Sequence, residues 1–338
     1  MRRTVLILWV AALVLASCGG DAEEDQHAGA TTPSASATVT ASDAPTPSRP
    51  PELRTDFDLP AYEDLVAMYD YDTSKPLSYE ILGEAHEGGA TEFEIAFRGS
   101  AGTVPGTLVI PDGPGPFPVV VYAPGFQVGT DFFTNDALAL AEEGYAGLLV
   151  ENPSTYRMLA CFFCWDARRD VKGHVQYAID LRRAIDLLET LPEIDSGRVG
   201  FVGHSLGGIV GGILSGVEDR IGAYVLMDGT GYVTQSPVLF PGVDSPRDEA
   251  LVRYQDGIAV INPVNYVAHN RGSTFLFQVS DLVDMPGEAL TPLFDAAPEP
   301  KTLEGYESGH EFDCTLFRDC DPSLSAFVDH RAWLQENV

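Results

Sequence analysis

Short apolar runs alternate with stretches of helical periodicity through most of the chain. Near-continuous apolar runs are typical of strands that are covered on both faces of a sheet. Such runs lie at 118–123, 145–150, 198–202, 221–227 and 274–279, and 301–306 is predicted to be the last strand. Between the second and third runs, apolar side chains recur every three or four residues over 171–191, which predicts one long amphipathic helix. The alternation predicts an α/β protein with a mostly parallel sheet, helices on both faces, and ligands at the carboxyl ends of the strands.

A hairpin and two further helices complete the predicted elements. Polar and apolar residues alternate over 91–97, and 106–110 continues after a glycine-containing turn. This pattern predicts an antiparallel hairpin at an edge of the sheet. Two further helices are predicted, a short one at 135–143 and a closing one at 322–336.

The N-terminal residues 1–18 have the organisation of an export signal. Arg2 and Arg3 form a positively charged start, and 4–14 is apolar but too short for a stable membrane span. The tetrapeptide Leu-Ala-Ser-Cys that ends at Cys18 resembles a bacterial lipobox. That resemblance implies cleavage before Cys18 and a lipid on this residue, so that an extracytoplasmic protein is held at the cell envelope by its lipid anchor only. The alternative is an ordinary secretory signal that is cut nearby.

Composition separates a tether from one folded domain. Residues 19–56 are largely Ala, Ser, Thr, Pro and acidic residues, which cannot form a core and predict a disordered tether. Residues 57–338 are predicted to be one catalytic domain, in which 229–262 forms a cap over the pocket. The formal net charge of −30, from 20 basic and 50 acidic residues, argues against nucleic acid or anionic lipid as a partner.

Four cysteines remain for the folded domain once Cys18 is assigned to the lipid. In an oxidising compartment two disulfides are expected among them. The four residues are Cys161, Cys164, Cys314 and Cys320. Their spacing favours the local pairs, although all three connectivities remain open. A zinc site with four thiolate ligands is the alternative, and no other spacing of His, Asp or Glu resembles a metal motif, so no metal is expected.

A serine lies where a strand pattern changes to a helix pattern. Ser205 is the centre of Gly-His-Ser-Leu-Gly, between the apolar run at 199–202 and a glycine-rich run at 208–214. A sharp turn from strand to helix strains its central residue, and glycines are needed where a Cβ would touch neighbouring elements. The hydroxyl is then exposed on a rigid edge, which predicts a nucleophile. In the alternative interpretation, Ser205 only caps a helix.

A serine hydroxyl needs a histidine to take its proton and a carboxylate to orient that histidine. Among the seven histidines, His310 follows the last predicted strand, in a loop whose Gly309 allows a close approach to the serine. His310 is therefore the predicted base. Two carboxylates follow the strand at 274–279, and Asp281, which is nearer to its end, is preferred to Asp284 as the acid. The order Ser, Asp, His along the chain is the one that this topology uses.

Attack on a carbonyl carbon creates an oxyanion, which needs two preorganised N–H donors. The backbone N–H of Leu206, directly after the serine, is one predicted donor. The other is the N–H of Phe126, in the Pro-Gly-Phe loop that follows the strand at 118–123. The Phe126 ring is expected either to line the acyl pocket or to pack in the core.

These motifs together resemble the α/β-hydrolase superfamily from about residue 57 to the C-terminus. The resemblance rests on 118–126, 198–208, the acidic turn at Asp281, and Gly309 with His310. The Pro-Gly-Phe loop and the small size are similar to dienelactone hydrolases, cutinase-like polyester hydrolases and platelet-activating-factor acetylhydrolases. The resemblance implies cofactor-free hydrolysis of a small-molecule, lipid or polyester ester through an acyl-enzyme. The acid turn departs from those families, because Val279 replaces a glycine and Asp281 comes early.

The resulting prediction is a serine hydrolase of carboxylic esters. Ser205 attacks the ester carbonyl, His310 takes the serine proton, and water then releases the acid. An acyltransferase would use the same residues and pass the acyl group to an alcohol instead. A non-catalytic binding protein on the same scaffold is the second alternative.

Overall fold

The computed structural model describes residues 54–126, 128–153, 166–235, 249–280, 287–314 and 320–338. The strands in these ranges are β1 (Glu80–Glu87), β2 (Ala90–Arg98), β3 (Thr103–Pro111), β4 (Phe117–Ala123), β5 (Ala146–Val150), β6 (Ile194–His204), β7 (Ala223–Met227), β8 (Thr274–Ser280) and β9 (Lys301–Tyr306). The helices are α1 (Tyr62–Ala67), α2 (Thr134–Glu142), α3 (Ala167–Leu188), α4 (Leu206–Val217), α5 (Glu249–Ile258), α6 (Val264–Val267), α7 (Gly287–Ala296) and α8 (Ser325–Asn337). Short 3₁₀ helices lie at Thr130–Phe133, Val233–Gln235 and Ala259–Ile261. Within these ranges, each helix is too short or too polar to cross a membrane.

All nine strands belong to one sheet, in the order β1-β2-β3-β5-β4-β6-β7-β8-β9. The pairs β1 with β2, β2 with β3, and β3 with β5 are antiparallel, whereas every pair from β5 to β9 is parallel. The chain moves outward from β4 to β5 and then returns to the other side of β4 as β6. Ligands of open α/β sheets bind where the strand order reverses in this way. A ligand-binding site is therefore expected at the carboxyl ends of β4 and β6.

The register of the parallel strands aligns their carboxyl ends. Ala123 of β4 is opposite Gly203 of β6, and His204 is opposite Met227 of β7. Met227 is in turn opposite Gln278 of β8. The residues that directly follow β6 and β7 therefore leave the sheet side by side.

Helices cover both faces of the sheet, as the alternation of strands and helices predicts. Alternate residues of β4 enter opposite layers: Val119 and Val121 belong to one buried cluster, and Val120 belongs to the other. The first cluster includes Leu181 of α3, and the second includes Leu334 of α8. Burying one such aliphatic side chain contributes about 1.5–3 kcal/mol, before the entropy of ordering the chain is subtracted. This rigid sheet holds the loops at its carboxyl edge.

Each predicted strand is present, with small shifts of its ends. The predicted hairpin is formed by β2 and β3, but it is not the edge of the sheet. That edge is β1, which pairs with β2 and was not predicted. Seven of the eight residues of β1 are exposed, so β1 lacks the apolar alternation by which a half-buried strand is identified.

Candidate active site

Ser205 occupies a strained turn between β6 and α4. Its φ of 54° and ψ of −111° lie outside the regions that side chains ordinarily favour. The turn is held by the Ser205 N–H, which donates to the Met227 carbonyl oxygen at 2.9 Å. The chain also passes so close to β4 that a Cβ on Gly207 would lie 1.8 Å from the Ala123 carbonyl oxygen. Glycine is required there, and the strain puts the Ser205 side chain at the carboxyl edge of the sheet.

The loop after β9 brings His310 to this serine. The distance between His310 Nε2 and Ser205 Oγ is 2.9 Å, which is that of a hydrogen bond. The two residues are 105 positions apart in the chain, so the tertiary fold brings them into contact. With Nε2 as the acceptor, His310 is placed to remove the serine proton.

The carboxylate beside His310 is Asp228, which sequence analysis did not select. Asp228 directly follows β7, has a φ of 44°, and is 2% exposed. Its Oδ2 lies 3.2 Å from His310 Nδ1. Since Nδ1 carries one proton, that proton is directed at Asp228. The preferred candidate, Asp281, and the second candidate, Asp284, lie outside the described residues.

Ser280, the last residue of β8, fixes the Asp228 carboxylate. The Ser280 N–H donates to Asp228 Oδ1 at 2.8 Å, and its hydroxyl donates to Oδ2. Hydrogen bonds to an ionised carboxylate are stronger than those between neutral groups. The strand that was expected to carry the acid therefore supplies donors to the acid of the neighbouring strand. A signal for Asp228 was present in the sequence, because it is the first residue after the apolar run 221–227.

His204, the residue before the serine, holds the His310 loop in place. The His204 Nε2 lies 2.7 Å from the carbonyl oxygen of His310, so Nε2–H donates to it. The ring stacks on Phe132 with 4.8 Å between ring centres and is 2% exposed. Burial, followed by the nearby His310, lowers the pKa of His204 to about 4. The ring is therefore neutral near pH 7 and acts as a positioning group.

We expect His204→Phe to lower kcat about tenfold, because it keeps the ring against Phe132 but removes one hydrogen bond to the His310 backbone. KM should change little, since His204 is not in contact with the substrate cavity described below. His204→Gln, which restores an N–H donor, should recover most of the loss. Steady-state kinetics of both variants test this role, and an unchanged kcat in His204→Phe would contradict it.

The lowered pKa of His204 also predicts acid sensitivity of the fold. The pKa of a histidine in the unfolded chain is about 6.5. Between that pH and about 4, the unfolded chain therefore binds a proton at this residue, whereas the folded chain, with His204 buried, does not. The free energy of unfolding therefore falls as pH falls through this window. In His204→Phe the free energy of unfolding should fall by less over this pH window than in the wild type, and the difference should be on the order of 3 kcal/mol. Urea unfolding at neutral and acidic pH measures it, and identical pH dependence in the two proteins would refute the assignment.

The loop that carries Phe126 passes directly beside the serine. A Cβ on Gly125 would lie 3.2 Å from the Cβ of Ser205. Phe126 is half-buried in the turn after β4. Leu206 is the first residue of α4, where a backbone N–H has no partner within the helix. Both predicted oxyanion residues thus lie next to Ser205.

A cavity of about 230 Å³, here called the substrate cavity, opens beside Leu206. Its walls come from the first turns of α3 and from the described part of 229–262, including Val233, Tyr254 and Ile258. The lining is mainly apolar, which is typical of a pocket for a small organic group. Residues 236–248 of the predicted cap lie outside the described residues.

A disulfide joins Cys314 and Cys320, and Cys314 lies four residues after His310. The local pairing expected for these two cysteines is confirmed. The Cys320 carbonyl oxygen accepts a hydrogen bond from the Asn135 side chain at 3.3 Å, which links this loop to α2. Cys161, Cys164 and the predicted lipid-bearing Cys18 lie outside the described residues.

Comparison with known proteins identifies the fold. A family model described as "BAAT / Acyl-CoA thioester hydrolase C terminal" matches residues 179–270, which include Ser205 and Asp228. No curated protein sequence gives a significant match. Solved structures give many matches, and the strand order and helices identify the α/β-hydrolase fold.

Acetyl xylan esterases are among the similar structures. The enzyme from a Thermoanaerobacterium species is 16% identical, with a TM-score of 0.66 over 81% of this chain and 93% of that one. The enzyme from a Paenibacillus species is 17% identical, with a TM-score of 0.65 over 85% of this chain and 97% of that one. An acylaminoacyl peptidase from Pyrococcus horikoshii is 14% identical, with a TM-score of 0.56 over 77% and 50%. Esterases and a peptidase share this fold, so the reaction has to be argued from the site.

Proposed function

We propose that the protein is a carboxylic ester hydrolase that uses Ser205, His310 and Asp228 as a catalytic triad. The observation that carries the proposal is the continuous chain of hydrogen bonds from Ser205 Oγ through His310 to Asp228. A hydroxyl, an imidazole and a buried carboxylate in this order are the arrangement that makes serine a nucleophile. Asp228 takes the role that sequence analysis gave to Asp281.

The reaction follows from the positions of these atoms. Ser205 Oγ attacks the ester carbonyl carbon while His310 Nε2 accepts the serine proton, and Asp228 stabilises the imidazolium that results. The oxyanion is held by the N–H groups of Leu206 and Phe126. Collapse of this intermediate expels the alcohol, which takes the proton from His310 and leaves an acyl group on Ser205. Water then gives a proton to His310 and attacks the acyl carbon, and the carboxylic acid leaves as Ser205 regains its proton.

The described walls of the substrate cavity suit a small acyl group. An apolar cavity of about 150 Å³ holds a molecule of the size of benzene, so a cavity of about 230 Å³ accommodates a somewhat larger group. Short and medium acyl groups therefore fit, in accord with the acetyl esters named for the two structural neighbours. We infer a preference for small acyl esters over long-chain lipids.

A panel of p-nitrophenyl esters from acetate to palmitate tests this function. The expected result is rapid release of p-nitrophenol from the short and medium esters, with kcat/KM falling steeply once the acyl group exceeds the cavity. A matched thioester and anilide should separate an ester hydrolase from a thioester hydrolase or a peptidase. Activity on the anilide alone, or on none of these compounds, would refute the proposal.

We further propose that the enzyme works outside the cytoplasm on a lipid anchor. The support is the Arg2-Arg3 start, the apolar segment at 4–14 and the Leu-Ala-Ser-Cys sequence that ends at Cys18. Metabolic labelling with an alkyne fatty acid in a bacterial host should label the wild-type chain, and Cys18→Ser should abolish the label. A labelled Cys18→Ser chain would refute lipid attachment at this residue.

A further inference from the structure

One buried side chain closes the loop that carries His310 at its base. This loop leaves β9 at Tyr306 and enters α8 at Ser325. The side-chain nitrogen of Gln278, on the neighbouring strand β8, donates to the Tyr306 hydroxyl and to the Ala326 carbonyl oxygen, each at 2.8 Å. Gln278 is fully buried. A single amide group thus joins the two ends of the loop.

The backbone of Gln278 is bound to the acid of the proposed triad. Its carbonyl oxygen accepts a hydrogen bond from the Asp228 N–H at 2.9 Å. The φ of 44° at Asp228 is unusual for a residue with a side chain, and such a conformation persists only where neighbouring contacts fix it. Gln278 therefore binds the acid through its backbone and the loop of the base through its side chain.

His330 of α8 fixes the orientation of the Gln278 amide. A carbonyl oxygen can only accept a hydrogen bond, so the contact with Ala326 requires the Gln278 nitrogen on that side. The amide oxygen, Oε1, then faces His330, whose Nδ1 lies 3.2 Å away and donates to it. Both side chains are buried, so this donor satisfies an oxygen that water does not reach.

The second ring nitrogen of His330 binds a buried carboxylate. Its Nε2 lies 2.9 Å from Asp136 Oδ2, on α2, and the Arg331 guanidinium donates to Asp136 Oδ1. Burial alone would raise the pKa of Asp136, but His330 and Arg331 bring it below its ordinary value. Asp136 is therefore ionised, and the His330 Nε2–H donates to it. The ring thus joins α8 to α2 on one side and to β8 on the other.

We propose that Gln278 and His330 are positioning residues, which hold the loop that carries His310 at the distance from Asp228 that the triad needs. Neither residue lines the substrate cavity, so both act through His310 and not through the substrate. A displacement of about 1 Å at a reacting group can lower a rate on the order of a hundredfold. This inference rests on the proposed ester hydrolysis and adds two residues on which its rate depends.

Gln278→Met tests the first residue, because it removes the hydrogen bonds of the amide and keeps the length of the side chain. With p-nitrophenyl butanoate, kcat should fall about tenfold and KM should stay within about twofold. Tyr306→Phe is a milder second variant, which removes one hydroxyl from a half-buried residue and keeps the ring against Phe312. It should lower kcat by roughly three- to fivefold.

Two substitutions of His330 separate positioning from simple stability. The side-chain nitrogen of asparagine can take the place of Nδ1, so His330→Asn should keep the donor to Gln278 and lose the donor to Asp136. The side-chain nitrogen of glutamine reaches the place of Nε2, so His330→Gln should do the reverse. Both variants should unfold at a lower temperature than the wild type. His330→Asn should keep kcat within about threefold, whereas His330→Gln should lower it about tenfold.

The matched control is Ser273→Ala, at the opposite end of β8. The hydroxyl of buried Ser273 donates to the Ile221 carbonyl oxygen at 2.7 Å, so this variant also loses a buried hydrogen bond. Its stability should fall, and its kcat should remain that of the wild type.

Three results decide between the outcomes. Wild-type kcat in Gln278→Met, or in Tyr306→Phe if Gln278→Met does not fold, would overturn the inference while the ester hydrolase stands. A kcat in His330→Asn that is equal to or lower than that in His330→Gln would also overturn it. A wild-type enzyme that is inactive on the butanoate would overturn the proposed function itself.

Discussion

Replacement of Asp228 with Asn is expected to lower kcat by about 10⁴, with little change in KM. The amide keeps the shape of the carboxylate but presents an N–H group to His310, which favours the wrong tautomer and cannot stabilise an imidazolium. The Ser280 N–H still has an oxygen to bind at this position, so the local fold should persist. Kinetics with a short p-nitrophenyl ester and thermal unfolding of the same variant measure the two effects separately.

Asp281→Asn is the matched control, because Asp281 is the carboxylate that the sequence favoured. It should retain activity within a few-fold of the wild type, since the described His310 Nδ1 faces Asp228. The reverse outcome, in which Asp281→Asn is inactive and Asp228→Asn is active, would reject the triad proposed here and return the acid to the turn after β8. Ser280→Ala, which removes one donor to Asp228, should fall between the two.

Ser205→Ala is expected to reduce kcat by about 10⁶, to the level that the oxyanion hole and binding alone provide. Alanine keeps the Cβ, so the strained turn and its hydrogen bond to Met227 should remain as they are. Ester turnover and labelling by a fluorophosphonate should both disappear. The fold should be unchanged in thermal unfolding.

Ser308→Ala provides a serine control in the same part of the molecule. Ser308 is buried in the His310 loop, and its hydroxyl has no hydrogen-bond partner among the described residues. This variant should be labelled and active like the wild type. Retained activity in Ser205→Ala would show that Ser205 is not the nucleophile.

The sequence specifies the positions of Ser205 and His310 because local signals surround them. A glycine-flanked serine between a buried strand and a helix has one sharp turn available to it, and His310 follows the last strand beside a glycine. The signal for the acid is shared by several carboxylates and does not distinguish between them. Asp228 and Asp281 each follow a buried parallel strand, and the carboxyl ends of β7 and β8 meet at the same edge. The contacts of Asp228 with His310 and Ser280 join positions far apart in the chain, and periodicity does not show such contacts.

The substrate cavity and the edge strand β1 were also beyond sequence reasoning, for different reasons. His174 and Tyr177 lie within the apolar periodicity of α3, so the pattern there is consistent with ordinary packing. The cavity depends on what stands opposite α3, which is α5 and the end of β5. β1 has almost no buried residue, so its pairing with β2 is the only property that defines it.

The most direct test of the central claim is to trap the intermediate. Wild-type protein is mixed with excess p-nitrophenyl butanoate, quenched in acid during turnover, and digested for peptide mass spectrometry. The account predicts one butanoyl group per chain, located on Ser205, and no adduct in Ser205→Ala. An acyl group on another residue, or steady turnover with unmodified Ser205 and no burst of p-nitrophenol, would contradict it.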